Sequence, residues 1–313
     1  MIRISKTSTI QPMGLFKPIN MDNPSSMKSP RFEGLAAGMT NAAQDVIEKI
    51  SCGQEKFTMT TLTLPKPRTL PSHRISQLSS VEPGSNGIRL LQRISHSNIK
   101  THMDDSSAFF YEAGLDIDAD GSPHAYHPDG RSGLDYLRNA GRPGNWWALV
   151  THNGKPTGKP VIQKRNDPAP GFYVSTTTLQ TPRFGRRDPR RYVNSEAVNY
   201  IVLPRGLNLG AKLGDYAVVI RPKTGAIGYA LYADVGPARH IGEGSIALAK
   251  ALGIPSNAKT GGVANGIVYI VFHGSAKALS LFQPDIDRAG AELFANWGGL
   301  ERAQASFPEI DWA

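Results

Sequence analysis

Asp234 and Glu243 are the residues whose types and spacing point most directly to chemistry. Cleavage of a glycosidic bond needs two carboxyl groups, one to protonate the leaving oxygen and one to activate water. Asp234 closes an apolar run, Tyr229 to Ala233, that reads as a strand. Val235-Gly236-Pro237 turns the chain. Glu243 stands between Gly242 and Gly244, which predicts a carboxylate on bare backbone that a ligand can approach. Ser245 to Leu252 then reads as a helix, capped by Ser245 and ended by Gly253. Each carboxylate also has an ordinary use, Asp234 as a turn former and Glu243 as a favourable charge at a helix start.

A second acidic group precedes this pair. Glu112 is followed by Asp116, Asp118 and Asp120, at alternate positions before Gly121. The spacing matches the opening of a calcium loop, but the twelfth position is His127 rather than Glu and the preceding residues are strand-like, not helical. In a strand the three aspartates share one face, an acidic ridge suited to a cation or to a polycationic chain. His124 and His127 lack a further histidine or cysteine at ligand spacing, so no metal site is expected there. Nothing in the chain calls for a cofactor.

The 313 residues carry a formal net charge of +9 and 40% hydrophobic residues, enough for a sizeable core. The basicity is uneven: residues 1–100 hold 13 basic and 6 acidic side chains, residues 101–313 hold 22 and 20. Few aromatics (Phe16, Phe32, Phe57) interleave with the front charges, so a solvated basic tail fits better than a nucleic-acid surface. Cys52 is the only cysteine, which excludes an intrachain disulfide. No run approaches the ~20 apolar residues of a membrane span.

These elements have to be carried by a fold. Residues 1–105, rich in Ser, Thr, Pro, Met and Asn, read as a disordered leader. Within it, Leu35, Met39, Ala43, Val46, Ile47 and Ile50 recur at helical spacing, either a local helix or a docking segment for a secretion chaperone. Order is expected from Ser107. Strands are predicted at 108–111, 145–150, 171–175, 200–203, 216–220, 226–233 and 267–272, with a hairpin turn at Pro222–Gly225. One of Trp146 and Trp147 should enter the core and the other face away, where it can stack on a sugar ring. Thr181 to Arg191 reads as a solvated basic loop. A packed helix is predicted over 286–297, with Asp285 as cap, Gly298 as stop and Gly290 as a weak point. Many short strands and few helices indicate a β-rich α+β fold, with a single β-barrel-like domain over 106–313.

With those residues in view, the domain resembles glycoside hydrolase family 75, the fungal-type endo-chitosanases, in a bacterial form. The similarity is carried by FFYEAGLDIDADG (109–121), NYIVLP (199–204), LGDYAVVI (213–220), YALYADVGPARHIGEGSIALAKALGI (229–254) and GGVANGIVYIVF (261–272). The turn, helix and strand order is also similar to double-psi β-barrels. The resemblance implies inverting hydrolysis of β-1,4 links between glucosamine units, with Asp234 and Glu243 as the catalytic acids. Glu112, Asp116, Asp118 and Asp120 would then bind the polysaccharide. Peptidoglycan or chitin as substrate, and an effector that uses the fold only to bind a host protein, remain as alternatives. Ala119 stands where fungal members often carry cysteine. The first sixteen residues have no acidic side chain and no apolar signal-peptide core. They resemble the leader of a type III secreted effector of a Gram-negative bacterium, which implies secretion without a signal peptide. An ordinary polar N-terminus explains them equally well.

Overall fold

The computed structural model describes residues 87–207, 209–277 and 279–313. The leader, the 35–50 helix and any chaperone contact lie outside them. Among the described residues ten strands appear: β1 (Ile88–Ile94), β2 (Ser97–His102), β3 (Ala108–Asp118), β4 (Gly141–Arg142), β5 (Asn145–Trp146), β6 (Tyr200–Pro204), β7 (Tyr216–Arg221), β8 (Ala226–Gly236), β9 (Glu243–Ser245) and β10 (Val263–Phe272). The helices are α1 (Ile246–Ala251), α2 (Gln283–Trp297) and α3 (Gly299–Ser306). The expected start of order near Ser107 is too late. The β1–β2 hairpin precedes it and joins β3 through Lys100 and Phe110. Its strands mix exposed Arg and Gln with buried Ile99 and Thr101, so its alternation is masked by polar composition.

Six strands close on themselves in the order β3, β10, β7, β8, β6 and β9, with β9 returning to β3. This is the β-rich barrel expected from the strand pattern. The β6–β8 and β3–β9 pairings are parallel; the other four are antiparallel. Alternate residues face opposite ways on a strand. Phe109, Tyr111, Leu115 and Ile117 of β3 therefore join Ile201, Val219, Tyr232 and Tyr269 in the main core, which α1 completes with Leu248 and Ala249. Tyr111 and Tyr269 stack at 4.8 Å between centroids. Phe110, Val218, Ile220 and Ile270 point the other way, under Phe294 and Trp297 of α2. Gly290 has a packing reason: a Cβ there would lie 2.8 Å from the Tyr229 side chain. Helix α2 starts before the expected cap, with Phe282 at the cap position; Asp285 instead accepts from Ser280 Oγ at 2.9 Å. Gly298 stops it in the left-handed region, as predicted.

Residues 123–195 form a lobe held by isolated bridges, among them Leu149 to Ser175 and Ile162 to Tyr173. The strands expected over 145–150 and 171–175 are thus mostly irregular. The N–H groups of Trp147 and Ala148 both donate to the Ala140 carbonyl, which bends the chain after Trp146. The expected division of the tryptophans holds: Trp146 is in the core and Trp147 is 60% exposed.

Candidate active site

The closure of the barrel brings the acidic residues together. Strand β9 is three residues long and lies between β3 and β6. Its neighbours approach so closely that glycine is required on both sides of Glu243. A Cβ on Gly242 would lie 2.7 Å from the Gly114 carbonyl, and one on Gly244 2.9 Å from the Tyr200 carbonyl. These glycines serve strand contact, not ligand access as the sequence pattern suggested. Asp116 N–H donates to the Gly242 carbonyl, which fixes the β3 side. The Ser245 hydroxyl caps α1 by accepting from Leu248 N–H and also accepts from Tyr200 N–H, anchoring the β6 side. A cap of this kind contributes about 1 kcal/mol.

The register places Asp116 opposite Glu243, Glu243 opposite Val202, and Val202 opposite Asp234. Three carboxylate residues therefore occupy one level across four strands. Neighbouring strands are about 4.8 Å apart, so the backbones of Glu243 and Asp234, with one strand between them, are separated by about 10 Å. Gly236, two residues beyond Asp234, leaves room for the other carboxyl: a Cβ there would lie 3.2 Å from Glu243 Oε2. The sequence V-G-P after Asp234 is thus part of the site.

Asp118 and Asp120 complete the cluster. Each, together with Asp234, places a carboxylate oxygen within 4.8 Å of the other two. Such an all-oxygen set can share protons or surround a hard cation. Asp118 is buried, 7% exposed, and its Oδ1 accepts from Asp120 N–H. Asp120 Oδ1 accepts from Tyr126 Oη at 2.7 Å and Ser175 Oγ at 3.3 Å. Asp116 and Asp118 share the strand face expected for them, with Glu112 on it as well, opposite core-facing Ala113, Leu115 and Ile117; β3 ends at Asp118, so Asp120, expected on the same face, lies beyond the strand. They do not form one open ridge. Only Asp116 is exposed, and its Oδ2 meets His240 Nε2 at 3.1 Å. Glu112 is half-buried and accepts from Gly266 N–H, where β10 bulges. His124 and His127 pair with Glu196 and Asp129, outside the acid cluster.

Burial and mutual repulsion set the proton affinities. Burial raises Glu243 well above the ordinary carboxylate range, and the charges of Asp118, Asp234 and Asp116 add to it. Burial, then Asp234, pushes Asp118 up to about 7. Burial, then Asp118, raises Asp120 well above its usual value. Burial raises Asp234 as well, but hydrogen bonds from Thr178 and Val235 oppose it. Asp116 is held low by its hydrogen bond from His240. One carboxyl group rich in donors, in the same row as another that none reaches among the described residues, gives two different proton affinities, as an acid and a base require.

Of the acids singled out by the sequence reading, the fold brings Asp118, Asp120 and Asp234 together and sets Glu243 beside Asp116 in register. That reading missed Thr178, Ser175 and His240, whose partners Asp234, Asp120 and Asp116 are distant in the chain, and Tyr126 and Asp135, whose hydrogen-bond partners are near in sequence but which only the fold sets among the acids. Asp135 is buried, accepts from Asn139, and adds its field to Glu243 and Asp118.

Comparison with known families gives one match: residues 172–296 fit the family described as fungal chitosanase of glycosyl hydrolase group 75. The matched stretch includes Thr178, Asp234, Gly236, Glu243 and the cap of α1, and begins after the β3 acids. No curated protein matches the chain.

Proposed function

We propose that this chain, whose residues 172–296 fit the fungal chitosanase family of glycosyl hydrolase group 75, is a chitosanase-type enzyme that cuts β-1,4 links between glucosamine units internally, with inversion, using Glu243 as acid and Asp234 as base. The observation that carries this reading is the shared partner Val202, which sets the two carboxylates one strand apart at the same level. An inverting enzyme needs its carboxyls ~6.5–9.5 Å apart to admit a water, and a backbone separation of about 10 Å, with one strand between, is compatible with that need.

The assignment of roles follows from the donors. No hydrogen bond reaches the Glu243 side chain among the described residues, and burial together with four carboxylates (Asp118, Asp234, Asp116 and Asp135) opposes its ionisation. It therefore holds a proton and gives it to the leaving oxygen. Asp234 receives three donors, so it is the member of the pair that ionises more readily. It takes a proton from the water attacking the anomeric carbon on the opposite face. The bond to the leaving oxygen breaks as the water oxygen bonds to carbon, which inverts the configuration. Exposed Asp116, next to Glu243 in register, is placed to receive a glucosamine ammonium group.

The test is reducing-end release from chitosan by the full chain, beside Glu243→Gln and Asp234→Asn, with chitin and peptidoglycan in parallel. Loss in both variants, each still folded, and initial release of the inverted anomer are the expected results. Wild-type activity in either variant would overturn the pair. Cleavage of peptidoglycan alone would move the substrate.

A further inference from the structure

The three threonines Thr176, Thr177 and Thr178 lie in an irregular segment of the lobe, yet nearly every residue of that segment is tied down. Thr176 N–H donates to the Ala148 carbonyl. Thr177 is buried; its hydroxyl donates to the Leu179 carbonyl and accepts from Val193 N–H. Leu179 N–H donates to the Ala233 carbonyl at 2.8 Å, so the segment runs beside the end of β8. Ser175, at its start, reaches Asp120. Thr178, between these anchors, directs both its N–H, at 3.0 Å, and its hydroxyl to Asp234 Oδ1. Val235 N–H adds a third donor to the same oxygen at 2.7 Å. Among the described residues no donor reaches Asp234 Oδ2.

An oxygen with three donors is a poor proton acceptor, and its unpartnered twin on the same carboxylate is the better one. We propose that Thr178 is a positioning residue for the hydrolysis: its hydroxyl locks the rotation of the Asp234 carboxylate so that Oδ2 is the oxygen that takes the proton of the attacking water. The inference rests on Asp234 being the base, as argued above. Thr178 itself is surface-exposed and packs no core, so removing its hydroxyl leaves the fold intact. The backbone N–H remains in any substitution, and the hydroxyl is therefore the separable part. Its loss frees the carboxylate to rotate, which lowers the rate of the chemical step and leaves sugar binding as it was.

The experiment compares full-length wild type, Thr178→Val, Thr178→Ser and Asp234→Asn on soluble chitosan over a range of concentrations, with thermal unfolding of each. Valine keeps the shape of threonine and lacks the hydroxyl; serine keeps the hydroxyl. Thr178→Val should lower kcat roughly tenfold to a hundredfold, as expected for one hydrogen bond to a charged group. KM and the unfolding temperature should stay near wild type, and Thr178→Ser should recover most of the rate. Wild-type kcat in Thr178→Val with Asp234→Asn inactive overturns the role of Thr178 alone. So does a Thr178→Ser enzyme as slow as the valine variant, or a loss confined to KM. Full activity in Asp234→Asn overturns the base assignment itself, and the positioning role with it.

Discussion

Asp215 and Asp234 lie at the same end of the β7–β8 pair and are buried in opposite ways. Asp215 precedes β7, is 0% exposed, and has both oxygens occupied: Oδ2 accepts from Lys212 and Gly274 N–H, Oδ1 from Ala276 N–H. It braces two pieces of backbone, at Lys212 and at Gly274–Ala276. Asp234 has all its donors on one oxygen, and Asp118 and Asp120 each bring a carboxylate oxygen within 4.8 Å of its carboxylate. Backbone amides on both oxygens make a buried carboxylate a structural part. One open oxygen among competing acids makes it a group that exchanges protons. Burial alone separates nothing here; the partners do.

The largest effects should separate these two aspartates cleanly. Asp234→Asn and Glu243→Gln are expected to reduce kcat on chitosan by a thousandfold or more, which is about 4 kcal/mol of barrier, without loss of thermal stability. Circular dichroism melts beside the rates check this. Asp215→Ala should do the reverse. Three backbone N–H groups lose their charged acceptor, which costs about 3–5 kcal/mol of stability. Its specific activity at low temperature should match wild type while its midpoint in urea falls. Wild-type stability in Asp215→Ala, or a melted Asp234→Asn, would erase the distinction.

Local chemistry was legible in the sequence. The Tyr229–Ala233 strand, the Pro222–Gly225 turn with Gly225 in the left-handed region, and the Ser245 cap all depend on neighbours within a few residues. So did the division of Trp146 from Trp147. The brace on Asp234 comes from Thr178, 56 positions earlier in the chain, in a Ser/Thr run that looks like any polar loop. The glycines around Glu243 were conspicuous, but their reason, the squeeze between β3 and β6, requires the closed barrel. The β3 acids illustrate the same limit. Alternation correctly gave Asp116 and Asp118 one face, and only the covering lobe decides that Asp118 is buried while Asp116 is open.

Asp118 permits an intermediate test, because its proton affinity differs between the folded and unfolded chains. Its folded pKa is about 7, and its unfolded value is about 3.9. Between those values the folded state holds the extra proton, so stability falls as pH rises from about 4 to 7. Asp118→Asn removes the group that resists ionisation and keeps an acceptor for Asp120 N–H. It should raise the melting temperature by a few degrees at pH 8, roughly 1–3 kcal/mol, and change nothing at pH 4. Equal shifts at both pH values would point to packing rather than charge. Asp215, both of whose oxygens accept from backbone N–H groups, supplies the contrasting case in which removing the side chain only destabilises.

The smallest effect is expected at the exposed end of the same row. Asp116 is adjacent to Glu243 in register but open to solvent, ionised, and paired only with His240 among the described residues. A surface pair of this kind contributes at most about 1 kcal/mol to stability, so an incoming ammonium group can displace His240 at little cost. Asp116→Asn should therefore leave the melting temperature nearly unchanged and leave kcat alone. At low ionic strength KM for chitosan should rise about threefold; near 1 M salt, where the Debye length is about 3 Å, the two enzymes should converge. A salt-independent change in KM would mean that Asp116 acts by shape or hydrogen bonding. A fall in kcat would mean that this outer carboxylate also sets the proton affinity of Glu243, and the line between the buried acids that do chemistry and the exposed acid that binds would have to move one strand outward.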